Sequence, residues 1–273
     1  DVVVLYPTGC AMVTTTSYPF SAHRVTYLHN LFQNGAPTLA GLVEVFHEKK
    51  RRGEINFDED VTFVMITGDG GMDIGMGPTI GTALRNQRMI ILEYDNQGYM
   101  NTGGQLSYTT PYGKETATSH VGKMSRGKAF HHKDTAAIMA ATGIPYVFTA
   151  IEGFGTDLVE KAAKAQWFAK NEGLAFGKIL VSCPLNWVSE ERNGFEILNQ
   201  GRVFKFNSAN PTGIEINAGG NIGKGINGAL IDKTDGSIWF VRTTTSDKAQ
   251  ETIADFFNYG LCTGTGGFSH DSF

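Results

Sequence analysis

"VTFVMITGDGGMDIGMG", residues 61 to 77, is the stretch on which the fold turns. Its first half is a continuous apolar run, the pattern of a strand covered on both faces of a sheet. Its second half sets five glycines around Asp69 and Asp73. The continuation, "IGMGPTIGTALRNQ", reads as a small-residue helix able to pack close to a sheet. A strand, a glycine turn and a helix therefore follow one another. Glycine costs backbone entropy wherever it is ordered, so a cluster of it needs a reason. Glycines at 68, 70 and 71 let the backbone approach a phosphate, which helix N–H groups can bind. Asp69 then offers a hard oxygen to a divalent cation. A tight strand-to-helix turn with a solvated aspartate is the plainer alternative. Asp73 reads as a cap for the helix that follows, where a carboxylate suits the dipole.

Working outward, strand-like and helix-like segments alternate over the first 200 residues or so. "DVVVLYP" is a β-branched run ending in a Pro-Thr-Gly turn. "APTLAGLVEVFHEKKRRG" spaces Leu39, Leu42, Val43 and Phe46 as a helix does, with Gly53 as its stop and "EKKRR" as its wet end. "RMIILEYDN" is a buried strand, "TAAIMAATG" a helix ending at Gly143, and "YVFTAI" a strand. "GTDLVEKAAKAQWFAKNEG" is a helix ending at Gly173, and "AFGKILVSC" the next strand. This alternation predicts an α/β fold with a doubly wound, mainly parallel sheet. Sites in such sheets lie at the carboxyl ends of the strands.

Beyond about Gln200 the texture changes to short β-like runs, many glycines and a hairpin signal, "KTDGS". "SDKAQETIADFFNYGL" reads as a helix closed by Gly260. "GGNIGKG" has the wrong spacing for a P-loop and no Ser or Thr after Lys224, so it reads as a loop or turn. Two units are expected: residues 1–198 as an α/β domain and 199–273 as a Gly-rich, β-leaning extension of unknown role.

Charge and composition exclude several classes. The 273 residues carry a net charge of −4, which argues against nucleic-acid binding. No apolar run approaches the roughly 18–20 residues of a membrane span. Three cysteines, Cys10, Cys183 and Cys262, are too few for a secreted disulfide scaffold, so a reducing cytoplasm is expected. The opening "DVVVLYPTGC" shows neither an initiator Met nor a leader pattern, and further sequence before Asp1 is expected.

The next strand ends in "YDNQGYMNTGGQ", with Asn96 placed 27 residues after Asp69. One helix and one strand fit between them, so both loops emerge on one edge of a parallel sheet. Asp69 can give a carboxylate, Asn96 an amide oxygen and Gly98 a backbone carbonyl. With two diphosphate oxygens and a water, they would give Mg2+ its six oxygen ligands; an Asn that only shapes its turn is the plainer alternative. The adjacent His131 and His132 read as surface residues, and His29 as a pocket or structural histidine.

These two loops resemble the thiamine diphosphate motif, in which Gly-Asp-Gly is followed by Asn one helix and one strand later. More specifically, the chain resembles the β subunit of 2-oxoacid:ferredoxin oxidoreductases of the pyruvate synthase type. "YPTGC", "HNLFQNGAPTLAGL", "TGDGGMDIGMG", "YDNQGYMNTGGQLSYTTPYG", "IMAATGIPYVFTA" and "VSCPLNW" carry the likeness, in the family's order, over residues 1–198. The resemblance implies oxidative decarboxylation of a 2-oxoacid with thiamine diphosphate and Mg2+. Electrons would pass through iron–sulfur clusters to ferredoxin, and coenzyme A would take the acyl group in most members. Gly68, Asp69, Gly70, Gly71, Asn96, Gly98 and Asn101 would bind cofactor. Asn101 and Thr102 would face the thiazolium or the reacting carbons, or else make hydrogen bonds that hold their own loop. Cys10 and Cys183 match two ligands of the family's 4Fe–4S cluster. The family's Cys-x-x-Cys pair, which supplies the other two, is absent here and is expected upstream. The glutamate that activates thiamine comes from another subunit or domain, so a heteromeric complex is implied. Two alternatives stay open: a non-oxidative decarboxylase or carboligase domain without a cluster, and a degenerate α/β binding or scaffolding module.

Overall fold

The computed structural model describes residues 1–16, 19, 23–56, 61–187, 189–194 and 198, and beyond them the backbone of four strands between 214 and 254. The elements up to the candidate turn are β1 (Val2–Pro7), α1 (Cys10–Thr15), β2 (Thr26–Asn30), α2 (Gly35–Arg51), β3 (Thr62–Gly68) and α3 (Asp69–Ile74). Next come α4 (Met76–Leu84), β4 (Ile90–Asp95), a small hairpin of β5 (Val121–Gly122) and β6 (Ser125–Arg126), and α5 (Thr135–Ala140). Then follow β7 (Tyr146–Ile151), α6 (Gly155–Asn171), β8 (Ala175–Leu180) and α7 (Pro184–Trp187). The outlying strands are β9 (Ile214–Glu215), β10 (Ile226–Ile231), β11 (Ile238–Thr243) and β12 (Gln250–Ala254).

The main sheet runs β2-β1-β3-β4-β8-β7-β9, and every pair in it is parallel. The doubly wound α/β expectation holds. Residues of β4 alternate between two cores, as the two-residue period of a strand requires. Ile91 joins Leu39 and Val43 of α2, Met65, Met139 of α5 and Phe176 on one face. Ile90 joins Ala165 and Ala169 of α6, Tyr146, Phe148 and Ala175 on the other. Gly177 lies opposite Phe148 in the register, and a Cβ there would come 2.2 Å from the Phe148 ring. Gly53, Gly143 and Gly173, read as helix stops, follow their helices with φ of 72°, 79° and 148°.

Three differences from the sequence reading stand out. The strand β2, not foreseen in "TYLHN", is an edge strand that borrows its order from β1 along its whole length. The predicted small-residue helix starts earlier, at Asp69, and breaks at Gly75 into α3 and α4. The strands on either side of "KTDGS", β10 and β11, pair antiparallel, and the five residues themselves lie outside the described residues. The helix read over 246–261 is overturned at 250–254, which forms β12. There Thr252 and Ile253 pair with Val241 and Phe240, and cross-strand partners outweigh local helix preference. The rest of that segment, like "GGNIGKG" and Cys262, lies outside the described residues. No helix among the described residues is long and apolar enough to cross a membrane.

Candidate functional site

β1, β3, β4 and β8 are consecutive in the sheet and point the same way. Just beyond their carboxyl ends stand Cys10, Asp69, Asn96 and Cys183 respectively. Four residues spread over the chain are thus delivered to one edge by parallel pairing.

The β3–β4 register sets Gly68 beside Tyr94, the residues just before Asp69 and Asp95. Asp69 opens α3 and is 3% exposed. The Thr109 hydroxyl lies 3.3 Å from Asp69 Oδ2 and 2.7 Å from Asp95 Oδ1, bridging the two carboxylates. Burial first, and then the charge of Asp95, push the Asp69 carboxyl up to about 7. Lys178 Nζ sits 3.1 Å from Asp95 Oδ2 and offsets that second charge.

The turn after β4 is held from several sides. Asp95 Oδ1 accepts the Gln97 N–H at 2.9 Å, which keeps Gln97 in a left-handed conformation at φ 66°. Asn186 of α7 donates to the carbonyls of Asn96 (2.8 Å) and Gln97 (3.1 Å), joining the Cys183 segment to this turn. The Asn96 amide nitrogen points to Cys10 Sγ at 3.9 Å. Its oxygen, Oδ1, is buried with no hydrogen-bond partner.

The glycines have reasons inside the protein. A Cβ on Gly71 would lie 2.2 Å from Thr67 Oγ1, and one on Gly70 would lie 2.9 Å from the Tyr99 ring. One on Gly68 would lie 3.1 Å from the Tyr94 ring, and one on Gly98 would lie 3.3 Å from the Gln105 carbonyl. Asn101 and Thr102 are exposed. The Thr102 hydroxyl turns back onto the Tyr99 carbonyl at 3.3 Å and onto Gln105, so it braces its own turn.

Asp73 does not cap the following helix. It falls in the last turn of α3, and α4 begins without a side-chain cap. Its carboxylate accepts from Tyr99 Oη (2.7 Å), the Tyr108 N–H (2.9 Å) and the Lys133 ammonium, and anchors the long excursion after β4. His131 is exposed and stacks on Tyr112, as expected for the surface. His132 is half-buried instead, and burial lowers its pKa. His29 is satisfied by the Tyr6 carbonyl at 2.9 Å on the edge strand. The sequence reading does not reach Asp95, Thr109 or Asn186. Asp95 adjoins Asn96 and was open to inspection, whereas the others show their role only through distant partners.

The arrangement fits a cation. An orphaned amide oxygen and a crowded buried carboxylate both gain from one. Among the described residues no three His, Cys, Asp or Glu side chains gather as a metal-holding group. A cation here therefore depends on amide, backbone and ligand oxygens as well as Asp69.

Comparison with known proteins defines the class. The family of thiamine pyrophosphate enzymes, C-terminal TPP binding domain, matches residues 8–177, and the chain belongs to it. Within that class its relatives are specific. It is 38% identical over 188 residues to pyruvate synthase subunit PorB of Methanocaldococcus jannaschii, covering 68% of this chain and 62% of that protein. It is 37% identical over 196 residues to the PorB subunit of Thermotoga maritima, covering 71% and 60%. The β subunit of NADH-dependent phenylglyoxylate dehydrogenase from Aromatoleum evansii is 37% identical over 190 residues, covering 68% and 41%. The chain thus spans less than two thirds of the length of these relatives. A solved 2-oxoglutarate:ferredoxin oxidoreductase from Magnetococcus marinus has the same fold, with a TM-score of 0.55 at 19% identity, over 77% of this chain and 62% of that one.

Proposed function

We propose that the chain is the thiamine diphosphate-binding part of a 2-oxoacid:ferredoxin oxidoreductase, in which Asp69, the Asn96 amide oxygen and the Gly98 carbonyl hold Mg2+. The observation that carries the site is Asn96 Oδ1, buried without a partner on the turn beside Asp69. The relatives named pyruvate synthase subunits support the reaction class. When bound, thiamine diphosphate supplies the nucleophilic carbon chemistry that decarboxylates a 2-oxoacid. The chain's part is to hold and orient. The diphosphate would lie against the backbone at Gly68, Gly70 and Gly71, tied through the cation. Asn101 and Thr102, on the exposed turn beyond the metal loop, would face the substrate. Cys10 and Cys183 would give two of the four thiolates of a 4Fe–4S cluster, the others coming from outside these 273 residues. The electron acceptor would be ferredoxin, and coenzyme A would take the acyl group. Another subunit would supply the activating glutamate. Free thiols at Cys10 and Cys183 suit a reducing cytoplasm.

Binding of thiamine diphosphate to the full chain, titrated with and without MgCl2, tests the site. Wild type should bind only with Mg2+, and Asp69→Ala should weaken binding at least tenfold. Equal binding by both would overturn the assignment. A second reading, non-oxidative chemistry without a cluster, is favoured by one fact: Cys183 is buried, as an ordinary core thiol is. Iron and sulfide in the anaerobically purified complex support the first reading, and their absence supports the second.

A further inference from the structure

Lys128 is buried, with 1% exposure, between the exposed stretches 121–126 and 129–131. Its ammonium donates to the carbonyls of Tyr108 (2.6 Å) and Thr110 (2.5 Å) and lies 4.7 Å from the centre of the Phe130 ring. Those two carbonyls belong to the residues on either side of Thr109. Burying an ammonium against neutral carbonyls is costly, and cheaper ways exist to close a loop. The same short turn is tied on every side. Asp73 accepts the Tyr108 N–H, the Lys133 N–H donates to the Tyr108 carbonyl at 2.8 Å, and Thr110 Oγ1 donates to the Gln97 carbonyl at 2.7 Å. Ser107 Oγ lies 3.0 Å from Thr109 Oγ1. All this restraint converges on one hydroxyl, which bridges Asp69 and Asp95.

We propose that Lys128 and Thr109 are positioning residues: Lys128 fixes the backbone on both sides of Thr109, whose hydroxyl sets the Asp69 carboxylate at the angle needed to ligate Mg2+. The inference rests on the Mg2+ reading of Asp69 given above. One hydroxyl proton serves two acceptors, so its location fixes how far apart the carboxylates stand. Without it Asp69 keeps the Ser107 hydroxyl and the Gly70 N–H but loses the bridge that sets its distance from Asp95, and a hard cation tolerates that poorly.

The test follows the Mg2+ concentration that gives half-maximal thiamine diphosphate binding in the full chain, with the melting temperature of each metal-free variant alongside. Thr109→Val keeps the side-chain shape and should raise that concentration about tenfold while the melting temperature barely moves. Thr109→Ser, which keeps the hydroxyl, should stay within about twofold of wild type. Lys128→Met should raise it too. The Thr109→Val/Lys128→Met pair should be no worse than Thr109→Val alone, because Lys128 acts through Thr109. A Thr109→Val chain with wild-type Mg2+ demand overturns the inference and leaves the Asp69 site standing. Additive effects in the double variant remove Lys128 from it. A wild-type chain that binds thiamine diphosphate without regard to Mg2+ overturns the site and the inference together.

Discussion

Glu93 lies on β4 two residues before Asp95, fully buried, and one of its oxygens accepts from the Thr135 hydroxyl at 3.1 Å. The other oxygen has no partner. Burial pushes its carboxyl from 4.5 up to about 8, against the pull of Lys178 and Lys133. The sign follows from linkage. The folded chain binds a proton here that the unfolded chain has released, so the contribution is whole below about pH 4.5 and is lost as pH rises through about 8. Glu93→Gln keeps the acceptor for Thr135 and cannot ionise. Urea unfolding at pH 5 and pH 8 should show wild type losing stability relative to Glu93→Gln at the higher pH; parallel curves would refute this. At this scale the sequence shows Asp69, Asn96, Cys10 and Cys183, because each stands in a short motif with its own chemistry. It hides Thr109, whose carboxylate partners are 14 and 40 residues away, and Lys128, which looks like any loop lysine.

Among the elements, long apolar runs and strongly periodic helices were legible: β3, β4 and α6 stand where their patterns put them. Elements that depend on a neighbour were not. β2 is ordered by β1, and β12 by β11, and neither contact is written in the local residues. The division of the first helix after the glycine turn hinges on Gly75, where a Cβ would come 2.8 Å from the Gly71 carbonyl. Gly177 shows the same dependence inside β8, since the Phe148 ring occupies the space its side chain would take. Gly177→Ala should cost about 1–3 kcal/mol through overpacking, read from the urea midpoint at unchanged slope. A loss under about 0.5 kcal/mol would mean that the ring moves aside freely.

For the whole molecule, the proposed reaction asks for more than these residues hold. Three cysteines cannot make four thiolate ligands, and the activating glutamate is assigned to another subunit. The purified chain should show no 2-oxoacid-dependent reduction of ferredoxin by itself and should support it when combined with its partner subunits; turnover by the isolated chain would count against the assignment. The order of the sheet has its own consequence. β8 is made after β7 yet lies between β7 and β4. On the ribosome, a growing chain that has reached residue 151 has both flanking strands and no strand to join them. Its half-built edge stays open until the stretch ending at Leu180 emerges and slots in, bringing Cys183 with it. Insertion of β8 between its neighbours and arrival of the Cys183 thiol are therefore a single event of biosynthesis.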